Sequence, residues 1–338
     1  VFPSINIQMA LNFLNQTTWN TEIPPFKLLS ANQPNKIVWQ GLDIRNKIKN
    51  NAKSLKGEID FPGAHITQQN TFFDITNLHS KYHFKHDETG LYTGKLAFDV
   101  DAIAVKDTQN HEFQIHKWTV DSKSDVNNGM FSTEFVVDLK DMSANGQKYG
   151  PLALDLEVSK VNALALNQMH EILKPQQNAS PSFRQKNIWA LMTTLPELLK
   201  HGIDIRLKQL DLSLDQGKIN TRAEFILAPD EAGGIMALQS LKNLQGSIDL
   251  QVTQALLSHW LKDVLEKQIS IQQASLGTPA ASNEIQDAAS TRADQKLKEL
   301  VSTGVIKTEA SDYVFHIKLN NGQLTVNDLP FNPSWLVM

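Results

Sequence analysis

The sequence predicts an α+β protein in which large, curved antiparallel β-sheets, built from repeated hairpin–strand–helix units, pack against several helices. Two observations lead to this fold class. Several long segments alternate apolar and polar residues, as strands do when one face is buried. Two of these segments then change to the wider apolar spacing of an amphipathic helix. The chain of 338 residues is long enough for two or three domains.

Three segments share one spacing of mostly apolar residues, at i, i+2, i+5 and i+7. They comprise Phe73, Ile75, Leu78 and Ser80; Phe113, Ile115, Trp118 and Val120; and Ile205, Leu207, Leu210 and Leu212. Strict alternation would place the last two residues of each set on the opposite face of the strand. We therefore expect a β-bulge at the same place in each copy, which restores the face and bends the strand.

Each copy then passes through a polar turn to a glycine, which is Gly90, Gly129 or Gly217. Asp and Asn before glycine favour tight hairpin turns, and apolar residues return at every second position afterwards. A shorter relative, with its turn at Asn321–Gly322, closes the chain. These hairpins predict an antiparallel meander with one polar face.

The second and third hairpins are followed by related tails that begin at Gly150 and Gly246. In each tail a strand pattern runs into a helix pattern, and Thr253 suits the N-cap of the second helix. The pair predicts an internal duplication. Further helices are expected to end at Gly202 and near Gly304, whereas the small, polar stretch 270–290 predicts a mobile linker.

This reading divides the chain into four segments. Residues 1–60 are helical or extended, with a helix as one expectation for "INIQMALNFL". Residues 61–175 form the first hairpin–strand–helix unit, and residues 176–275 form the second. Residues 276–338 hold the linker, a helix and the C-terminal hairpin.

Composition narrows the range of partners. The formal net charge of -4 and the scattered basic residues argue against nucleic acid, and the densest basic run, "DIRNKIKNNAKSLK" (43–56), is typical of a solvated segment. Because the chain has no cysteine, disulfides and thiolate chemistry are excluded. No stretch approaches the roughly 18 apolar residues that span a bilayer.

The order of these features resembles the YdgA-like family of bacterial envelope proteins, whose function is unknown. The resemblance rests on "GLYTGKLAFDVDAIAV" (90–105), "YGPLALDLEVSKVNALAL" (149–166), "LPELLKHGIDIRLKQLDLSLDQGKINTRAEFIL" (195–227) and "YVFHIKLNNGQLTVNDLPF" (313–331). It implies a hydrophobic segment preceding Val1 and export. We therefore expect a periplasmic protein, anchored in the inner membrane when full-length, or a secreted one. The resemblance implies no activity and no functional residues.

Motifs of catalysis are not found in the sequence. It contains no nucleophile elbow, H-E-x-x-H helix, P-loop or dinucleotide fingerprint. In "HSKYHFKH", His79 and His83 share a face of the predicted strand while His86 points away, so we expect no metal site there. We expect no catalytic residue, no cofactor and no enzymatic activity.

Two acidic pairs have the sequence spacing at which a general acid and base are sometimes found. They are Asp99–Asp101 and Asp138–Asp141. Their positions match the polar face of a strand or a turn, and this is the interpretation we adopt.

Two functions from different classes are compatible with the pattern. In the first, the curved sheet binds a lipid or another apolar ligand, because the predicted strands outnumber the helices that would cover its apolar face. The groove candidates are Phe73, Phe113, Trp118, Phe131, Phe135 and Phe225, for which a core between sheet and helices is the default interpretation. In the second, the protein is a structural or interaction module. It would bind another copy or another protein through exposed strand edges or the helix around Trp260. We favour the first.

Overall fold

A computed structural model describes residues 4–13, 15–29, 35–109, 111–173, 194–229, 243–276 and 282–331. Over these residues, eighteen strands form one continuous antiparallel sheet, accompanied by four helical segments. The large antiparallel sheet with helices is therefore confirmed. That the two hairpin–strand–helix units are copies of one another stays a prediction, as does the division into four segments.

The strands are β1 (Asn6–Asn12), β2 (Gln16–Ile23), β3 (Phe26–Leu29), β4 (Lys36–Trp39), β5 (Leu42–Lys49), β6 (Ser54–Gln68), β7 (Thr71–His86), β8 (Tyr92–Lys106), β9 (Glu112–Asn127), β10 (Met130–Ala144), β11 (Gln147–Asn162), β12 (Ile203–Leu214), β13 (Gly217–Leu227), β14 (Leu244–Thr253), β15 (Lys307–Glu309), β16 (Asp312–Asn320), β17 (Gln323–Val326) and β18 (Leu329–Pro330). The helices are α1 (Ala163–Leu173), α2 (194–199), α3 (Gln254–Leu276) and α4 (Ser282–Ser302).

The strands pair almost entirely in sequence order. From β5 to β14 each strand hydrogen-bonds to the next, and the sheet is extended by β1 and β2 at one end and by β16, β17 and β18 at the other. The short pair β3–β4 lies beside β6, and β15 lies beside β16. Strands β6 to β11 have 15 or 16 residues each, which makes them about 50 Å long.

Pairing is interrupted at one level across β6–β11, and we call this level the crease. Asn77 in β7 and Lys117 in β9 adopt left-handed conformations there, each with a φ of 48°. On both sides of the crease the same register continues, because every neighbouring strand is interrupted opposite the irregular residue. The Asn77 side chain donates a 2.8 Å hydrogen bond to Asp101 across the crease.

The predicted bulge is confirmed in β12, where the register with β13 shifts between Leu207 and Leu210. The bulge predicted in β7 and β9 is not found, because neither strand changes register with its neighbours. The left-handed residues Asn77 and Lys117 of the crease keep the apolar residues on one face instead. Residues three apart on one strand meet in a single apolar cluster, as seen for Phe61 and Ala64, Ile75 and Leu78, and Val100 and Ile103. One face thus stays apolar on both sides of the crease.

The turn chemistry follows the sequence closely. At Asn128–Gly129 and at Asn321–Gly322 both residues have positive φ, as a type I′ hairpin turn requires. Gly217 instead begins β13, directly after the two-residue turn that joins it to β12.

The two predicted strand-to-helix junctions are present at β11–α1 and β14–α3. The side chain of Asn162 caps α1 by accepting a 3.0 Å hydrogen bond from the Ala165 amide. Thr253 directly precedes α3, but its hydroxyl oxygen accepts from the Lys218 amide of β13, at 3.0 Å. The predicted helix ends at Gly202 and Gly304 are confirmed by positive φ values there.

The expectation of a helix in residues 5–14 is wrong, since β1 occupies most of this stretch. Seven consecutive residues of β1 pair with β2. Ile5, Ile7, Met9, Leu11 and Phe13 also alternate with polar or small residues, a pattern with the period of a strand.

The mobile linker expected at 270–290 is also wrong for the residues the structure describes. α3 continues to Leu276 and α4 begins at Ser282. The two helices pack through Ile269, Ala289 and Ala293, which are at most 6% exposed. Small residues that suggested a linker therefore serve close helix packing.

We expect Gly63→Ala to destabilise the protein, because a Cβ at this crease position would lie 2.4 Å from the Ile75 carbonyl oxygen and φ is +146°. The unfolding free energy, measured by denaturant titration, should fall by roughly 1–3 kcal/mol. The control is Gly129→Ala, where φ is +75° and no atom lies within 4 Å, so only about 1 kcal/mol of backbone strain is introduced. Equal losses in the two variants would contradict the close approach.

Candidate functional site

One face of the sheet carries two adjacent rows of cross-strand partners that are apolar except for Thr221, and we call these rows the apolar strip. Its first row is Val120, Val137, Leu154, Leu210, Thr221, Leu250 and Phe315, and its second is Phe135, Leu156, Leu207, Ala223, Ile248 and Ile317. The strip runs across the strands from β9 to β16. Neighbouring strands lie roughly 4.8 Å apart, so the strip is about 30 Å long.

Helices contact this face in two places. α1 and α2 cover one end of β10–β12, with Val161, Ala165 and Leu198 buried between them and the sheet. α3 and α4 reach the sheet at Tyr313 and Phe315 of β16. Elsewhere the strip is only partly covered by the described residues: its members are half-buried, except for Phe135, which is 37% exposed.

The six predicted groove residues all belong to the apolar face, but they do not line one groove. Phe131 packs in the cluster under α1 and α2, and Trp118 packs against the cluster around Val100, so these two serve the core. Phe113 and Phe225 are half-buried. Phe73 and Phe135 remain 38% and 37% exposed, and Phe135 is the one member of the apolar strip among the six.

The apolar face ends at the edge strand β1. Within the described residues, β1 pairs with β2 alone, so one side of its backbone is unpaired. Five large apolar side chains are 60% to 107% exposed there, namely Ile5, Ile7, Met9, Leu11 and Phe13. Such a row is unusual for the surface of a soluble monomer.

The opposite, polar face of β2 and β5–β10 forms a concavity of about 710 Å³, which we call the basic concavity. Its charged lining residues are Arg45, Lys47, Lys56, Lys81, Lys95 and Lys123, with Glu58, Asp121 and Glu134. Sequence reasoning missed this site because its cations come from five strands. Only the run 43–56, interpreted as solvated, brings three of them close together in sequence.

An ion-pair network occupies one side of the basic concavity. Arg45 lies 2.7 Å from Asp60, and Lys81 lies 2.9 Å from Glu58. The hydrogen bond from Lys81 lowers the pKa of Glu58. Burial raises the pKa of Asp60, but its contacts with His79 and Arg45 outweigh burial and lower it overall.

Glu58, Asp60 and His79 place potential ligand atoms within 4.8 Å of one another. Both carboxylates also form ion pairs, Asp60 with Arg45 and Glu58 with Lys81. The three histidines of the predicted strand lie apart. His79 contacts Asp60, His83 lines the basic concavity, and His86 packs edge-on against Tyr92.

One member of each acidic pair contacts a residue of a neighbouring strand. Asp101 accepts the hydrogen bond from Asn77, and Asp141 pairs with His116 across β9 and β10. Asp99 of β8 and Asp138 of β10 are both cross-strand partners of Thr119, which lies between them in β9. Their contacts are those of cross-strand partners.

Lys208, in the bulge of β12, connects three strands on the polar face. Its Nζ lies 2.7 Å from Glu134 in β10 and 3.0 Å from Glu157 in β11. The hydrogen bonds that Lys208 donates to these two carboxylates raise its pKa, and the contact with Lys208 lowers the pKa of Glu134. Asp155 of β11 lies 3.8 Å from the same Nζ, so the bulge places a cation where three acidic side chains meet.

Fold and site together define a protein built on one antiparallel sheet, with a partly covered apolar face and a cation-rich concavity on the other face. In the described part of the chain, no helix combines the length and apolar character needed to cross a membrane. The chain belongs to a family of bacterial proteins of unknown function, DUF945, whose model matches residues 2–334. This is the YdgA-like family, so the resemblance is confirmed. Comparisons with curated proteins and with solved structures gave no match.

We expect Lys208→Gln to lower the unfolding free energy at pH 7 by at most about 1 kcal/mol, because the ion pairs are partly exposed. Since the folded pKa of Glu134 is lowered, its stabilising contribution is present above pH 4.5 and is lost as the pH falls through that lowered pKa. The difference between variant and wild type, measured by denaturant titration, should therefore shrink at pH 3. Lys218→Gln, one strand away, is the control. A difference that is the same at pH 3 and pH 7 would rule out this role.

Proposed function

We propose that this protein is a non-enzymatic binding protein that holds a lipid or another apolar ligand against the apolar strip. The observation that supports the proposal is that the described residues cover the apolar strip only in part. Across β10, β11 and β12 the strip is continuous and apolar, yet none of its residues is fully buried by the described residues. A partly covered apolar surface gains free energy when a ligand removes it from water.

The size of this gain suits an acyl chain. Burial is worth about 0.8 kcal/mol per methylene, so a chain of a dozen carbons gains roughly 10 kcal/mol before the cost of ordering it is subtracted. The strip, at about 30 Å, offers length for such a chain across the strands. A location in the bacterial envelope or outside the cell forms part of the proposal and rests on the family resemblance.

A second candidate function is that of a structural or interaction protein. It is favoured by the edge strand β1, whose unpaired backbone and exposed apolar residues suit addition of a further strand. Trp260 on α3 is 55% exposed and offers a separate aromatic contact. In this case a second copy or another envelope protein covers β1.

We expect native mass spectrometry of the purified chain to detect a bound mass that organic solvent extracts as lipid. In Phe135→Gln the affinity for added palmitate should fall about tenfold. Bound palmitate would cover the new side-chain amide and leave it without a hydrogen-bond partner. Phe135 is 37% exposed, so its replacement should leave the fold intact, which circular dichroism checks.

The control for this experiment is Ala153→Gln, which lies on the polar face of β11 next to Leu154 of the strip. It should bind palmitate as the wild type does. A monomer mass without adduct, together with no uptake of palmitate, would refute the lipid proposal.

If the second candidate is correct, light scattering coupled to gel filtration should find a dimer that Ile7→Lys/Leu11→Lys converts to a monomer. Charges on these side chains would be buried unpaired in an interface of at least about 1,000 Å². Gln8→Lys/Ala10→Lys places the same charges on the other face of β1 and is the matched control. A strictly monomeric wild type at high concentration would argue against self-association.

A further inference from the structure

We propose that the basic concavity binds an anionic small molecule that carries two or more phosphate groups. The proposal concerns the polar face of the sheet and does not depend on the apolar strip. It rests on a row of cross-strand partners on five adjacent strands, Lys47, Lys56, His83, Lys95 and Lys123.

Like charges placed directly opposite each other on neighbouring strands destabilise a sheet. The register nevertheless places Lys47 opposite Lys56, and Lys95 opposite Lys123. His83 stands between the two lysine pairs. The row thus concentrates positive charge at positions where opposite charges on neighbouring strands would make the sheet more stable.

The two other cations that line the basic concavity are paired with carboxylates, and so is Lys208, which contacts the lining residue Glu134. Arg45 and Lys81 contact carboxylates at 2.7 and 2.9 Å, and Lys208 contacts Glu134 at 2.7 Å. Within the described residues, the four lysines of the row make no ion pair within 4.0 Å. Glu134, which ends the row beside Lys123, accepts its hydrogen bond from Lys208, and its attraction to Lys123 is weaker. The lysines of the row therefore remain available to a ligand.

Charge and shape both favour an anion at this place. Six cationic side chains and three carboxylates line the basic concavity, in a chain whose formal net charge is -4. A concave surface with an excess of one charge sign focuses the electrostatic field and raises the local concentration of counter-ions. At about 710 Å³ the concavity has the volume of an ordinary small-molecule site.

The lysine pairs indicate the kind of anion. Lysine is a compact point charge that is widely used to bind phosphate, and two neighbouring lysines can contact different oxygens of one group. One lysine pair lies on each side of His83, and the two pairs suit two phosphate groups of one molecule. Such groups occur in soluble polyphosphorylated compounds and in the headgroups of anionic lipids, and the experiment distinguishes these sources.

The test is isothermal titration calorimetry of the full chain with sodium tripolyphosphate, and sedimentation with vesicles that contain cardiolipin, a lipid whose headgroup carries two phosphates. We expect tripolyphosphate to bind with an affinity that falls as salt rises. Lys56→Gln/Lys95→Gln should weaken binding about tenfold or more, because it removes one cation from each pair. The same variant should melt no lower than the wild type, since it also removes like-charge repulsion.

Lys218→Gln/Lys298→Gln changes the net charge equally at remote sites and is the matched control. The site is supported if Lys56→Gln/Lys95→Gln loses the binding of either probe while the control variant keeps it. Tripolyphosphate binding identifies a soluble ligand, and vesicle binding alone identifies a headgroup. No binding of either probe, or equal weakening in both variants, overturns the proposal. Palmitate uptake on the other face is measured separately, so the two proposals can fail independently.

Discussion

Both faces of this protein depend on one constraint, the continuity of register across the sheet. Side chains alternate with a period of two, so a slip of one residue on any strand would move its apolar residues to the polar face. A slip of register would occur most easily at the crease, because Asn77 and Lys117 leave the extended conformation there. Since neighbouring strands are interrupted at the same level, the irregularity is shared and the rows of side chains stay aligned.

The sequence predicts local features well and tertiary ones less well. The spacing of Leu207 and Leu210 indicated a bulge, and Asn–Gly pairs indicated type I′ turns, because both effects act over a few residues. Composition misled at residues 270–290, where small residues suggested a linker. Ala289 and Ala293 are four residues apart and buried against α3, and only the partner helix gives that spacing its meaning.

The candidate site was predictable only in part. Alternation identified which residues share the apolar face. How far helices cover that face depends on tertiary packing, and for this reason Phe131 lies in the core whereas Phe135 is exposed. The basic concavity was not foreseen, since Lys56 and Lys123 are distant in the chain and only strand register places them in one row. A sequence met alone shows which face a residue takes, whereas neighbours across the sheet decide what that face can bind.

Pairing in sequence order has a consequence for how the molecule folds. When each element contacts mainly its neighbours along the chain, stability is close to a sum of adjacent interfaces, as in solenoid proteins. Here the main exception is the pairing of β14 with β16, which encloses the α3–α4 hairpin. The entropy of closing such an insertion grows only with the logarithm of its length. The sheet can therefore grow hairpin by hairpin, and opening at either edge leaves the long central strands paired.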